Sequence, residues 1–277
     1  MTPAESTQLD ARLEFAVELA RQAGELTLGY FRSANLESER KGDGSPVTAA
    51  DREAEALLRR LIGQRFPNDA ILGEEFGESG GNSGFRWILD PIDGTKAFIT
   101  GVPLYTNLIA VLQDGSPKIG VINAPAAGEM VYAQAGKGCW HALGDESPRP
   151  AHVSQISDIS EATCVTSSVK SFTTEREIDA RHVWDQLQAA CRITRTWGDA
   201  YGYLLVATGR AEIAIDPAMS LWDSASLPTI IEEAGGKFFD WQGKPSIHSC
   251  ESIATTPALA PLVLTIVQSK QPMGQLP

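Results

Sequence analysis

The chain has 277 residues, 43% hydrophobic and 21% charged, enough to bury a sizeable core in one large domain or two closely joined lobes. Its 23 Lys and Arg stand against 35 Asp and Glu, a net charge of -12 with no basic run, which disfavours nucleic acid as a partner. No stretch is long and apolar enough to span a membrane.

Met1 to Asp10 is polar and acidic without a secretory pattern. Cys139, Cys164, Cys191 and Cys250 show no paired spacing. Together these predict a cytoplasmic protein with reduced thiols. The four histidines are not clustered, which argues against zinc.

In chain order, Leu9 to Phe31 carries apolar Leu13, Phe15, Ala16, Leu19, Ala20, Ala23 and Leu26 and predicts an amphipathic helix. Lys41 to Pro46 is a polar, glycine-rich loop, readable as a mobile lid or as ordinary surface. Asp51 to Arg65 predicts a second helix, with Asp51 as an acid at its start. Ile71 to Gly77 reads as a strand exit, on which only one of Glu74 and Glu75 faces inward. Phe85 to Leu89 predicts a short buried strand, with Pro91 turning the chain. Strands follow over Leu104 to Gln113, Pro117 to Asn123 and Met130 to Ala135, and Leu143 to Pro150 is the candidate linker. Beyond it, Thr163 to Ser167 reads as a strand, Glu175 to Cys191 as a helix, Leu204 to Arg210 as a helix and Ala211 to Ile215 as a strand. Asp223 precedes a helix over Ala225 to Ala234, either as its N-cap or as a cation ligand. The tail from Ser269 is polar and reads as frayed. The division is a 1–145 α+β lobe and a 146–277 α/β lobe.

The chemistry concentrates in Trp87 to Thr95, where Asp90, Asp93, Gly94 and Thr95 follow an apolar run within a few residues. Carboxylate oxygens suit hard divalent cations. A Gly-Thr at the start of a new segment offers N–H groups and a hydroxyl to an anion. A cation and a phosphate in one place point to phosphoryl transfer. The alternative is an Asx-turn with solvated acids. Two residues separate Asp90 from Asp93, where phosphatases with an aspartyl nucleophile have one, so the spacing favours metal-activated water.

Gly73-Glu74-Glu75, Trp87 to Thr95, Trp222-Asp223 and Glu232 to Gly236 together resemble the inositol monophosphatase superfamily of Mg²⁺-dependent, lithium-sensitive phosphatases. Ala20 to Glu25 and Gly136-Lys137-Gly138 are lesser matches. The resemblance implies a layered αβαβα sandwich, a homodimer, and two or three Mg²⁺ per active site. It implies that Glu74, Asp90 and the Ile92 carbonyl hold one Mg²⁺, and that Asp90, Asp93 and Asp223 hold a second. Glu74 and Thr95 would position the attacking water, Gly94 and Thr95 would bind phosphate, and Asp51 would stand in the outer shell. Lys41 would lie on a mobile loop, one residue shorter here than in inositol-type members.

Gly198-Asp199-Ala200-Tyr201-Gly202-Tyr203, Asp216-Pro217 and Ser246-Ile247-His248 are most similar to the histidinol-phosphate phosphatase branch. That branch implies a small phosphorylated metabolite, L-histidinol phosphate, and a place in histidine biosynthesis. Asp199 and Asp216 can pair with its ammonium and imidazole, and Tyr201 or Trp197 can pack on a ring. Capping by Asp199 and core roles for Tyr201 and Tyr203 are the alternatives. Arg195 is placed either toward the phosphate or toward a second subunit. Inositol 1-phosphate is the rival substrate, and a non-catalytic regulator with the same fold is the rival from another class.

Overall fold

A computed structural model describes residues 3–33, 38–40, 42, 46–176 and 179–269. Lys41, and the tail beyond Ser269, lie outside the described residues. The first half contains α1 (Pro3–Tyr30), β1 (Ser38–Arg40), β2 (Pro46–Thr48), α2 (Ala49–Arg65), β3 (Ala70–Gly73), β4 (Gly77–Ser79), β5 (Phe85–Asp93) and α3 (Thr95–Ile99). The strands β6 (Thr106–Gln113), β7 (Ser116–Ala124), β8 (Glu129–Gln134), β9 (Cys139–Leu143) and β10 (Arg149–Pro150) follow. The second half has β11 (Thr163–Val165), α4 (Ser171–Thr174), α5 (Arg181–Ala190), β12 (Ile193–Arg195), α6 (Ala200–Ala207) and β13 (Ile213–Asp216). It closes with α7 (Leu221–Ser224), α8 (Leu227–Glu233), β14 (Lys237–Phe239), β15 (Ser252–Thr255) and α9 (Ala260–Gln268).

An eight-stranded sheet runs in the order β10-β9-β8-β7-β6-β5-β3-β4, and a five-stranded sheet in the order β12-β11-β13-β15-β14. The alternation of apolar side chains along each strand decides how the sheets stack. On β6, Ile109 and Val111 pack under α1 and α2, while Leu108 joins a cluster on the opposite face. That second cluster contains Tyr203 to Ala207 of α6, Leu227, Ile230 and Ile231 of α8, and Ala214 of the smaller sheet. On β13, Ala214 faces this middle layer while Ile213 and Ile215 face the outer helices α5 and α9. The layers are therefore helix, sheet, helix, sheet, helix, the expected αβαβα arrangement.

The structure differs from the sequence reading at several elements. β5 does not stop at Leu89 but continues through Pro91 to Asp93. Its parallel partner β3 ends opposite Leu89, so on that side no ladder bond is demanded of the proline nitrogen. On the β6 side the register shifts between Asp90 and Asp93, a bulge that re-aims both acids. Glu74 and Glu75 lie in the β3–β4 turn rather than on a strand. The expected linker is instead the connection between β9 and β10, which pair antiparallel. The helix expected over Glu175 to Cys191 is shorter, α5 starting only at Arg181, whose N–H donates to Asp179 Oδ1 at 2.8 Å just ahead of it. Pro228, without an N–H, opens α8 separately from α7. α6 begins before Leu204, at Ala200, whose N–H is taken by Asp93 at 2.7 Å.

Candidate active site

The end of β5, the β3–β4 turn, and the starts of α3, α6 and α7 converge on one cavity of about 180 Å³. Glu74, Asp90, Ile92, Asp93, Gly94, Thr95, Asp199 and Asp223 line it. Oxygens of Asp90, Asp93 and Asp223 lie within 4.8 Å of one another. Asp90 and Asp93 close β5 while Asp223 comes from the distant α7, and each is placed by a backbone donor. The Ile92 N–H donates to Asp90 Oδ1 at 3.1 Å. Asp93 Oδ2 accepts the Ala200 N–H at 2.7 Å and the Thr106 hydroxyl at 2.8 Å. Asp223 is not the N-cap of α7. Ser220 is, and Asp223, three residues on, accepts the Ser220 N–H at 2.7 Å in a capping box.

Thr95 donates its hydroxyl to the Ile92 carbonyl at 3.1 Å, which ties together two groups on the cavity wall. Gly94 between them has φ 78, a left-handed conformation that glycine adopts without strain. A Cβ there would also lie 2.9 Å from Asp199 Oδ2. Asp199 occupies the N-cap position of α6 but makes no side-chain cap bond, leaving its carboxylate on the cavity wall.

So much negative charge in one place is self-opposed. Burial, then the charges of Glu74, Asp93 and Asp223, hold Asp90 well above the usual carboxylate value. Burial, then Asp199 and Asp223, raises Asp93 in the same way. Asp199 is pushed up to about 7 by burial and by Asp216 and Asp223, against the pull of Lys96. Burial pushes Asp223 up to about 6.

The sequence profile of the inositol monophosphatase family matches residues 8–271. This chain belongs to the inositol monophosphatase family. The histidinol-phosphatase of Chlorobaculum parvum is 45% identical over 243 residues, covering 88% of this chain and 91% of that protein. The histidinol-phosphatase of Mycobacterium tuberculosis is 38% identical, covering 91% and 96%. A solved structure of an inositol monophosphatase from Zymomonas mobilis superposes with a TM-score of 0.81 at 32% identity, covering 94% of this chain and 98% of that one. The protein is thus a phosphoric monoester hydrolase acting on small phosphorylated substrates.

Members of this family are metal-dependent, and the residues here fit a cation. The donors are all hard oxygens, the set favoured by Mg²⁺, Mn²⁺ or Ca²⁺ rather than zinc. Asp51 gives a second sign. Its Oδ2 accepts the Thr48 N–H at 2.8 Å and the Thr48 hydroxyl at 2.6 Å, while its buried Oδ1 has no protein partner. Burial raises its carboxyl, and the charge of Glu74 adds to this.

Two expected substrate residues lie elsewhere. Asp216 is 2% exposed and is consumed by the chain's own donors rather than facing the cavity. Its Oδ1 accepts the Ser167 N–H at 2.7 Å, the Ser167 hydroxyl at 2.5 Å and the Thr166 hydroxyl at 3.1 Å, and its Oδ2 accepts the Tyr203 hydroxyl at 3.1 Å. Arg195 is exposed on β12, donates to the Thr194 carbonyl at 2.7 Å, and is not among the residues lining the cavity. Tyr203 is core, Tyr201 is half-buried with its hydroxyl 3.4 Å from Glu129, and Trp197 and His248 are exposed. Lys96 escaped sequence reading, although it directly follows Gly94-Thr95. It is the one cation among the described residues lining the cavity.

The raised acids set a pH dependence for the metal-free protein. Below about pH 4 Asp199 and Asp223 are protonated in both folded and unfolded chains and contribute nothing. Between about pH 4 and about pH 7 the unfolded chain releases protons that the folded chain retains, so stability falls as pH rises. Urea denaturation in chelator is expected to show a lower midpoint at pH 8 than at pH 5, with Mg²⁺ closing the gap. A midpoint that rises with pH in chelator contradicts this.

Proposed function

We propose that the protein hydrolyses L-histidinol phosphate to L-histidinol and phosphate, with Mg²⁺ held by Glu74, Asp90, Asp93, Asp223 and the Ile92 carbonyl. The observation that carries the substrate class is Asp199, a carboxylate on the wall of the metal cavity, held within contact range of Gly94. It offers a charge-assisted partner to an ammonium or imidazolium, which a neutral polyol lacks. A second cleft of about 740 Å³ shares Asp223 with the metal cavity, and Glu175 stands on its wall, while Glu251 there is paired with Arg176. It gives the alcohol part of the ester a place to lie beside the Glu175 carboxylate. The identity to two histidinol-phosphatases supports the same assignment.

When bound, Mg²⁺ supplies positive charge that acidifies water and offsets charge on the transferring phosphoryl group. The chain's own groups do the rest. Thr95, oriented by its bond to the Ile92 carbonyl, presents its hydroxyl oxygen to the attacking water. Glu74 takes the water's proton on its carboxylate. The first N–H groups of α3, at Gly94 and Thr95, have no intrahelical acceptor and are available to phosphate oxygens. Lys96, one residue on, adds a cation at the same mouth. The water oxygen bonds to phosphorus, the ester P–O bond breaks, and the leaving oxygen takes up a proton to give the alcohol.

Inositol 1-phosphate is a second reading, favoured by the likeness to the Zymomonas mobilis inositol monophosphatase. Phosphate release with Mg²⁺ separates the two. The panel is histidinol phosphate, inositol 1-phosphate, fructose 1,6-bisphosphate and adenosine 3′,5′-bisphosphate. The highest kcat/KM is expected on histidinol phosphate. Preference for inositol 1-phosphate overturns the substrate assignment and leaves the metal site standing.

A further inference from the structure

Glu55 is a carboxylate with no exposure at all, on the second turn of α2 and not among the residues lining the metal cavity. Buried acids are rare unless paired, and this one meets three donors. Its Oε2 accepts the Glu75 N–H at 2.7 Å. Its Oε1 accepts the Phe76 N–H at 3.2 Å and Arg59 Nε at 2.7 Å. Arg59 continues the clamp by donating to the Gly77 carbonyl and, at 3.5 Å, to the Ser79 hydroxyl.

The carboxylate also packs on the chain just ahead of that turn. A Cβ on residue 73 would lie 2.1 Å from Glu55 Oε1, so any larger residue there would push the carboxylate from its place. Residues 73, 75, 76 and 77 are therefore all fixed to α2 through Glu55 and Arg59. The residue in the middle is Glu74, whose N–H donates to the Leu89 carbonyl at 3.2 Å and whose side chain lines the metal cavity. Asp51 lies one turn earlier on the same face of α2, has one unpartnered oxygen, and feels the charge of Glu74.

We infer that Glu55 is a positioning residue that sets the aim of Glu74 and, through it, the affinity of the site for its divalent cation. This rests on the reading of Glu74 as a metal ligand. The two oxygens of Glu55 serve as acceptors only, and three donors converge on them. A glutamine of the same shape has one acceptor oxygen and presents an NH₂ group to at least one N–H. The turn then relaxes, and the carboxylate it carries drifts from its place without any change in the ligands themselves. Outer partners of this kind alter metal affinity or activity by roughly 10–100-fold.

The test is Glu55→Gln, with Glu74→Gln as control. Mn²⁺ binding is followed by the loss of free-ion paramagnetic resonance signal, and phosphate release is titrated with Mg²⁺. Glu55→Gln is expected to weaken Mn²⁺ binding and raise the Mg²⁺ midpoint by roughly 10–100-fold. In the Glu74→Gln background it should weaken Mn²⁺ binding no further. A purely structural role would lower the melting temperature in chelator and leave the Mn²⁺ affinity of the folded fraction unchanged, which overturns the inference. Should Glu55→Gln not fold, Arg59→Met keeps the carboxylate and removes its anchor. A smaller weakening of Mn²⁺ binding supports the inference, and none overturns it. If Glu74→Gln itself leaves Mn²⁺ affinity unchanged, the metal-ligand reading fails and the inference falls with it. A shift with Glu74→Gln but not with Glu55→Gln removes the inference alone.

Discussion

Asp90→Asn is expected to lower kcat by about 10³-fold or more while raising the melting temperature of the protein in chelator. The two effects share one cause. Asp90 is fully enclosed, 2% exposed, and faces Glu74, Asp93 and Asp223. Without a cation it is a repelled acid whose carboxyl stays well above its ordinary value, which is free energy lost from the folded state at neutral pH. An amide of the same shape carries no charge to repel, and each kcal/mol so relieved adds roughly 2–4 °C to the melting temperature. With Mg²⁺ the order is expected to reverse, because the original chain gains binding energy and the variant lacks a carboxylate of the proposed metal site. Melting curves in chelator and in Mg²⁺, beside phosphate release, give both numbers. More than a tenth of the original activity, or a lower melting temperature in chelator, sinks the shared-ligand role.

Asp199→Asn should separate substrates rather than abolish turnover. A hydrogen bond to a charged group is worth about 1.5–3 kcal/mol, so kcat/KM on histidinol phosphate should fall about 10–150-fold. An aryl phosphate, whose alcohol part carries no charge, should change by less than about threefold. The side chain makes no cap bond to α6, and Ala200 is held by Asp93 instead, so the fold should persist. Equal losses on both substrates would place Asp199 in the phosphate or metal machinery and remove it from recognition of the alcohol. Asp216 offers the contrast. It is closed in by Ser167, Thr166 and Tyr203, so its replacement should appear in the melting temperature.

The sequence disclosed what is local. Asp90, Asp93, Gly94 and Thr95 lie within one short stretch, and the strand feeding them has an apolar pattern that no helix would need. The layered fold followed from resemblance; periodicity alone gave only mixed α and β. What stayed hidden depended on neighbours. Pro91 argued for the end of a strand, yet β3 stops short of it and the objection vanishes. Asp216 in an Asp-Pro looked like a substrate group, because nothing in sequence reveals that Thr166 and Ser167 arrive from β11 with their donors. Glu55 looked like any glutamate on an amphipathic helix. Its burial is decided by the turn at Glu75 and Phe76, which lies 20 residues away.

The cluster that holds Leu108, Ile122 and Val131 together with Tyr203, Leu204, Ile230 and Ala214 has a bearing on protein engineering. Exchange of substrate preference between relatives is often attempted by grafting one half of a chain onto another. Here the seam would run through the middle of the apolar interior, where α6 and α8 meet the large sheet. A chimera joined near residue 145 would have to import matched side chains on both sides of that layer. Transplanting only the short segments at 175–176, 199 and 249–251 leaves the interior intact. Diversification of this scaffold is therefore easier through its rims than through its halves.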